Sequence, residues 1–502
     1  MKYSLGIDIG TGSAKGVLFS AGIRPAAQAS AEYPTCFPRA GWAQQKPEDW
    51  WDAVIKVVRR ILKESAVSAK DIGVISVSCQ APTVLLLDEN GEPVYDALIW
   101  MDRRSEAECS WLEQKVGRER IFEITGTRLD PYYVYPELLW MKKNEPEAFR
   151  KAEILLQVNG YINYKLTGRY SLDPVHASHT QMYDVRKHCW SQELFDAIGV
   201  DIELFPPVHE CTQKIGEVNE EAAFLTGLAE GTPVLCGTVD GAAAVLEAGV
   251  TGGGNAVEMT GTSSGLMIAF EDLKTAPNMA HQYSIVPGGH ILYGAMSTTG
   301  ASYKWFRDQL YDHERLLKDP YGQMEKEILR EAPDPTELIF LPYMQGERCP
   351  VWDTNARGVF LGMNLGTTRT QMMRSVLEGV AFALRDNVEE AKKAGVSVSS
   401  LRSVGGCTGS LLWTKIKASV LNMPIAVPKQ TMGAPGGLGI MNAVWLGEHA
   451  TIQEAAAGIQ TEMQIIQPEE EWIEHYQKMY EIYHSCYGDL KECFSAISRL
   501  NR

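Results

Sequence analysis

The chain has 502 residues, more than one hydrophobic core usually organises, so two domains or more are expected. Its apolar fraction of 45% and charged fraction of 22% are those of ordinary globular protein, and a net charge of −16 speaks against nucleic acid or an anionic membrane as partner. Ten scattered cysteines form no C-x-x-C pair, the first strand begins at Tyr3 with no room for a signal peptide, and no run approaches the ~20 apolar residues of a membrane span; these features predict a cytoplasmic protein with reduced thiols.

At the start of the chain, Tyr3, Leu5 and Ile7 alternate with smaller or polar residues, the two-residue period of a half-buried strand. Gly10 and Gly12 supply a tight turn, and Gly16 to Phe19 read as the returning strand of a β-hairpin. The tip gathers Asp8, Thr11, Ser13, Lys15 and several exposed N–H groups. Clustered amides make an anion-binding concavity, and a carboxylate beside them can hold a hydrated Mg²⁺. The stretch therefore reads either as a nucleotide-phosphate hairpin or as a plain Gly-rich turn with a solvated acid. It contains no P-loop, and Gly10-Thr11-Gly12 lacks the third glycine of a dinucleotide fingerprint.

Pro47, followed by Glu48 and Asp49, predicts a helix start, and Ala53, Val54, Val57, Val58, Ile61 and Leu62 give that helix one apolar face. A strand over 71–79 leads into Gln80-Ala81-Pro82-Thr83, a second strand over 84–87, a turn at Asp88–Gly91 and a third strand over 97–100. That strand ends in Met101-Asp102-Arg103-Arg104, and strand ends are where open α/β sheets place ligands, although one of the arginines equally suits a helix start. Residues 105–230 read as mostly helical, with His176 and His179 as loop or core histidines and not a zinc site. Pro233 to Gly241 reads as a buried strand ending on Asp240, which could N-cap the helix expected over 242–248. Gly249 to Gly254 looks like a domain boundary.

The second half restarts the first half's pattern. Thr260-Gly261-Thr262-Ser263-Ser264-Gly265 is another glycine–hydroxyl turn between apolar strands, so the pair implies an internal duplication facing a shared cleft. A helix is expected over 371–387, and another after Gly405-Gly406-Cys407-Thr408-Gly409-Ser410, where glycines let a flat ring or a phosphate approach the backbone. Gly433 to Gly439 opens a helix near 441–446, and the tail from Pro468 reads as a surface helix without chemistry.

The run from Gly358-Val-Phe-Leu-Gly362-Met through Gln371-Met-Met-Arg-Ser375-Val-Leu-Glu378-Gly379-Val380 resembles the C-terminal signature of the FGGY carbohydrate kinases, within the actin/Hsp70/sugar-kinase superfamily. Gly346-Glu347-Arg348 to Gly362 and Gly41-Trp42 to Trp51 are similar to xylulokinase segments, and the resemblance spans nearly the whole chain. It implies an α/β fold of two ribonuclease-H-like domains, each a mixed sheet flanked by helices, with a cleft between them. Residues 1–248 would form the N-terminal sugar-binding and catalytic domain, and 249–502 the C-terminal nucleotide-binding domain with a helical tail.

By the same resemblance, Asp240 matches the catalytic base and Asp8 the acid that positions Mg²⁺. Thr11, Gly12 and Ser13, with Lys15 beside them, match the first phosphate loop, and Thr262 matches the second. Gly300, Gly405, Gly406 and Ser410 match further ATP contacts. Gln80, Asp102, Arg103, Tyr132 and Asp240 are left to orient the substrate. A homodimer is a family-level expectation. The activity implied is ATP-dependent phosphorylation of a sugar hydroxyl, first of a ketopentose such as xylulose, with a polyol (glycerol, erythritol) or an aldonate (gluconate) as alternatives.

The alternatives stay open because the chain departs from the family where sugars bind. Ala81-Pro82 replaces the Met-His of xylulokinases and the Arg-Glu of glycerol kinases, and Gly241 replaces their Asn or Gln. Asp130-Pro131-Tyr132 matches the glycerol-kinase run, and Glu137 stands where the N-terminal signature has Lys. Losing those polar side chains predicts a wider or more apolar pocket. A non-catalytic sugar or nucleotide sensor is a reading from another class; retention of Asp8, both threonine turns and Asp240 weighs against it, since a sensor needs no base. A chaperone-like ATPase of the superfamily would need a peptide-binding domain after residue 450, and none is evident.

Overall fold

The computed structural model describes residues 3–311, 318–459 and 462–500. One seven-stranded sheet forms in each half. In the first, β1 (Tyr3–Ile9), β2 (Ser13–Ser20) and β3 (Arg24–Glu32) make an antiparallel meander, and β4 (Ile72–Cys79) lies parallel to β1. β5 (Lys214–Glu217) and β6 (Pro233–Leu235) extend the sheet, and the short β7 (Thr238–Val239) pairs with the end of β4.

The second sheet repeats this plan. β8 (Asn255–Thr260), β9 (Ser264–Phe270), β10 (Ala280–Tyr283) and β11 (His290–Met296) are its antiparallel part. β12 (Ser400–Val404) lies parallel to β8, with β13 (Ile425–Pro428) and β14 (Met463–Ile466) beyond it.

Helices cover these sheets according to their apolar faces. α1 (Pro47–Ser65) begins at Pro47 and packs across β2 and β3, burying Trp50, Val54, Val57, Val58 and Ile61. Gly16 permits the close approach, because a Cβ there would meet Val57 Cγ1 at 2.6 Å. α2 (Val158–Thr167) and α3 (Pro174–His179) contact the end of the first sheet, and α4 (Asp240–Glu247) follows β7 directly. In the second half come α5 (Gly300–Leu310), α6 (Pro320–Glu331), α7 (Arg369–Lys393) and α8 (Leu411–Leu421). A capping box starts α7: Gln371 N donates to Thr368 Oγ1 at 3.2 Å, and Thr368 N to Gln371 Oε1 at 2.9 Å.

Four expectations need correction. The 105–230 region is helical but interrupted by short strands, among them Ile154–Leu156 and β5. Asp240 is the first residue of α4, and Val239 occupies the cap. The helix expected near 441–446 starts earlier: α9 (Ala434–Trp445) already contains Gly436, Gly437 and Gly439. The lack of side chains lets neighbours pack closely against this helix; a Cβ at Gly437 would sit 2.0 Å from the Ala243 carbonyl of α4. The tail helix α10 (Glu470–Leu500) buries Tyr476, Met479, Tyr480, Tyr483, Cys486 and Phe494, so it completes the second core instead of lying on the surface.

Two further features shape the site. α9 packs on β1, β4 and α4, so a helix from the second half covers part of the first sheet. Asn442 Nδ2 donates to the Leu5 carbonyl at 3.3 Å. No described helix is long and apolar enough to cross a membrane.

Candidate active site

The parallel register of β1 and β4 sets Asp8 opposite Ser78, and the Ser78 hydroxyl donates to Asp8 Oδ1 at 2.7 Å. Burial pushes the Asp8 carboxyl up to about 6, against the Ser78 hydrogen bond and the charge of Lys15, its register partner on β2. Asp240 opens α4, and its Oδ1 accepts the Gly241 amide at 2.6 Å. Burial, and then the negative charge of Asp8, pushes Asp240 up to about 7. The two carboxylates thus sense each other and titrate as a pair. Tyr33, which sequence reasoning missed, donates to the Gly10 carbonyl, and its hydroxyl pKa is raised by burial, then by Asp8, Cys79 and Asp240.

The tip of the first hairpin is pinned from several directions. Trp100 Nε1 donates to Thr11 Oγ1 at 3.0 Å, and Gln45 Nε2 donates to the Thr11 carbonyl at 2.6 Å. Gln80, expected to face the substrate, is buried and donates to Gln45 Oε1 at 2.6 Å. It thus helps brace the hairpin. Gly12 stays exposed, and Ser13 is half-buried.

The second glycine–hydroxyl turn is braced by its own half. Gly300 N donates to the Gly261 carbonyl at 3.1 Å, and Thr299 and Ala301 amides converge on the Thr262 carbonyl. A Cβ on Gly300 would stand 2.2 Å from the Gly261 oxygen, and one on Gly405, where φ is +102°, 2.4 Å from the Thr260 oxygen. Gly261, Thr262, Gly300, Gly406 and Ser410 line one cavity of about 480 Å³. Its walls include Cys407 of that glycine run and also Tyr303, Tyr321, Glu325 and Trp413, which no sequence motif announced. Ser410 also caps α8, accepting the Trp413 amide at 3.1 Å.

The remaining expected substrate residues divide. Asp102 is fully buried, and Ala43 N (2.6 Å), Arg104 N (2.8 Å) and the Arg104 guanidinium (2.7 Å) occupy its carboxylate. Arg104 lies 3.8 Å above the Trp42 ring. The Asp102 carboxylate is therefore committed within the protein and gives a substrate no free acceptor. Arg103 pairs with Asp130 and approaches the Tyr132 ring at 6.0 Å, while Tyr132 rests on Tyr133 at 4.1 Å.

Across from them, Arg348 faces Tyr293 and Tyr132, and the charge of Asp240 reaches Tyr293. Glu347 beside it holds the Ser297 and Arg348 amides, each at 2.7 Å, and burial pushes it up to about 7. A Cβ on Gly241 would meet nothing within 4 Å, so open space stands beside Asp240. His176 and His179 both lie on α3, and His176 is fully buried.

Comparison with known proteins gives the family. Family models described as the FGGY family of carbohydrate kinases match the chain in two parts, the N-terminal domain over residues 3–247 and the C-terminal domain over 256–445. A xylulose kinase of Bacillus subtilis is 27% identical, with 100% of both chains covered. The crystal structure of xylulose kinase from Rhodospirillum rubrum superposes with a TM-score of 0.93 at 28% identity, covering 98% of this chain and 100% of that one. The gluconate kinase structure from Lactobacillus acidophilus gives 0.91 at 25% identity, covering 99% of each.

Proposed function

The chain belongs to the FGGY family of carbohydrate kinases, enzymes that phosphorylate a sugar with ATP, and on that premise we propose that its acceptor is a ketopentose such as xylulose. The Asp8–Asp240 pair beside the strand ends of the first sheet, with the glycine-walled cavity in the second half, supports phosphoryl transfer, and the likeness to xylulose kinases favours the ketopentose. In this reading the cavity takes the nucleotide, with its phosphates toward the two hairpin tips at Thr11–Ser13 and Thr262, and Lys15 near the first.

Asp240, held near neutrality, accepts the proton of the attacking sugar hydroxyl. The residues at Asp8 fit a hydrated Mg²⁺: it is a hard oxygen ligand, and burial has left its charge poorly compensated. When bound, Mg²⁺ would neutralise charge on the transferring phosphoryl group. Tyr132 and Arg103 border the acceptor, and the open space beside Gly241 predicts tolerance of neighbouring sugars. Buried free thiols at Cys79, Cys211, Cys236, Cys349 and Cys486 accord with a cytoplasmic enzyme.

A second reading, an aldonate acceptor, is favoured by one feature. Among the described residues the Arg348 guanidinium forms no ion pair and faces Tyr293 and Tyr132, where an acid sugar could bring a carboxylate. ADP release from Mg-ATP, measured across ketopentoses, ketohexoses, polyols and aldonates, separates the two, with Asp240→Asn as control. Highest kcat/KM on xylulose, lost in the variant, is expected; highest kcat/KM on an aldonate would replace the ketopentose assignment.

A further inference from the structure

Next to the carboxylate pair runs a chain of polar groups at 0% exposure: Cys79, Asp173, His176 and Thr238. Asp173 caps α3, one oxygen accepting the amides of Val175 at 3.1 Å and His176 at 3.2 Å. Its other oxygen meets His176 Nδ1, and the opposite ring nitrogen, Nε2, faces the Cys79 thiol at 3.3 Å. Cys79 Sγ accepts the Asn159 amide of α2 at 3.2 Å, and the Thr238 hydroxyl donates to Asp173 Oδ1 at 3.4 Å.

These partners assign the imidazole tautomer. In the neutral ring, a carboxylate at Nδ1 keeps the proton there, which leaves Nε2 as acceptor for the Cys79 S–H. Burial, with the charges of Asp240, Asp173 and Asp8, keeps that thiol protonated. The chain is then closed, with every proton engaged.

Its position explains its use. Cys79 ends β4, directly after Ser78, which holds Asp8. Thr238 begins β7, two residues before Asp240. β4 and β7 pair over only two positions, Thr238 with Ser78 and Val239 with Cys79. A ladder that short is a weak constraint, and the polar chain ties the same two strand ends a second time. Burying a carboxylate and an imidazole costs desolvation that an apolar filling would avoid, so specificity of geometry is the return.

We propose that Asp173, His176, Cys79 and Thr238 form a positioning device that fixes the Asp240 carboxylate relative to Asp8 by clamping β7 to β4. The inference rests on reading Asp240 as the base.

The test uses His176→Asn, which keeps a donor toward Asp173 but cannot reach Cys79, and Thr238→Val, which removes one hydroxyl at nearly constant shape. Each is made in the full chain with and without Asp240→Asn, and kcat, KM for ATP and melting temperature are measured. Loss of positioning should lower kcat about 10- to 100-fold while KM for ATP stays within about two-fold. Neither change should lower the residual rate in the Asp240→Asn background, and Thr238→Ser should restore kcat. Should His176→Asn fail to fold, Thr238→Val carries the same comparison. Equal losses in both backgrounds, or unchanged kcat in a folded variant, overturn the inference alone. Full turnover by Asp240→Asn by itself overturns the base assignment, and the inference with it.

Discussion

The two halves place an acid in the same slot and treat it oppositely. In the first, Asp8 stands opposite Ser78 across parallel strands β1 and β4; in the second, Glu258 stands opposite Ser403 across β8 and β12. Both serines donate to their acids, at 2.7 and 2.5 Å. Glu258, however, is closed off by Lys417 of α8, whose Nζ lies 2.6 Å from Oε1, and Thr260 adds a hydroxyl. Among the described residues Asp8 forms no ion pair; Lys15 acts on it only through its charge, and burial holds the carboxyl high in pKa beside a second carboxylate. A duplicated scaffold thus supplies two polar slots, and a resident cation decides which is structure and which stays available for chemistry.

The comparison is broken most directly at the first half's acids. Asp240→Asn should lower kcat by about 10²- to 10⁴-fold with the protein folded, read by coupled ADP release. The second half should respond in stability instead: Lys417→Met leaves Glu258 buried and unpaired, at a cost of about 3–5 kcal/mol in denaturant unfolding, much of it recovered by adding Glu258→Gln. If Lys417→Met left stability intact, the contrast between the halves would be wrong.

Gly300→Ala sharpens the division of labour. The new methyl meets a backbone oxygen that cannot yield, so ATP binding should weaken by about 1–3 kcal/mol in calorimetry while sugar binding is spared.

The smallest effects follow pH. With Asp240 near 7, kcat/KM should climb through about pH 7 and level above it, since only the ionised form accepts a proton. Its folded pKa lies above the ordinary 3.8, so the folded state binds the proton more tightly. Metal-free stability should therefore fall as pH rises from about 4 to about 7, and Asp240→Asn should be the more stable protein at pH 8 but not at pH 4.

Much of this was legible in the chain. Period-two alternation and glycine turns announced both hairpins, and their repetition announced the duplication. What stayed hidden was what depends on distant partners. Low helix propensity of the α9 glycines put the expected start of that helix too late; close packing by α4, Phe19 and Ile23, which leaves no room for a Cβ, accounts for glycine at those positions. Tyr476, Tyr480 and Tyr483 in a charged tail gave no sign that Phe382 of α7 awaited them. Asp102 looked like a ligand at a strand end, yet Arg104, two residues on, consumes it. Asp173 and His176 are neighbours in sequence, but the thiol that gives the pair its meaning lies 97 residues from the histidine.

The seating of α9 on the first sheet bears on how this chain can be cut and recombined. A break in the glycine-rich junction after Ala248 would leave the amino-terminal fragment with the apolar seat of Leu438, Ile440 and Met441 uncovered, and the carboxy-terminal fragment with a greasy helix and nothing to cover. Neither piece should be soluble alone, and co-expression should be needed for complementation. Chimaeras made by exchanging halves with a relative should fold only when residues 434–445 travel with the amino-terminal parent, so in space the unit of inheritance is not the unit of sequence.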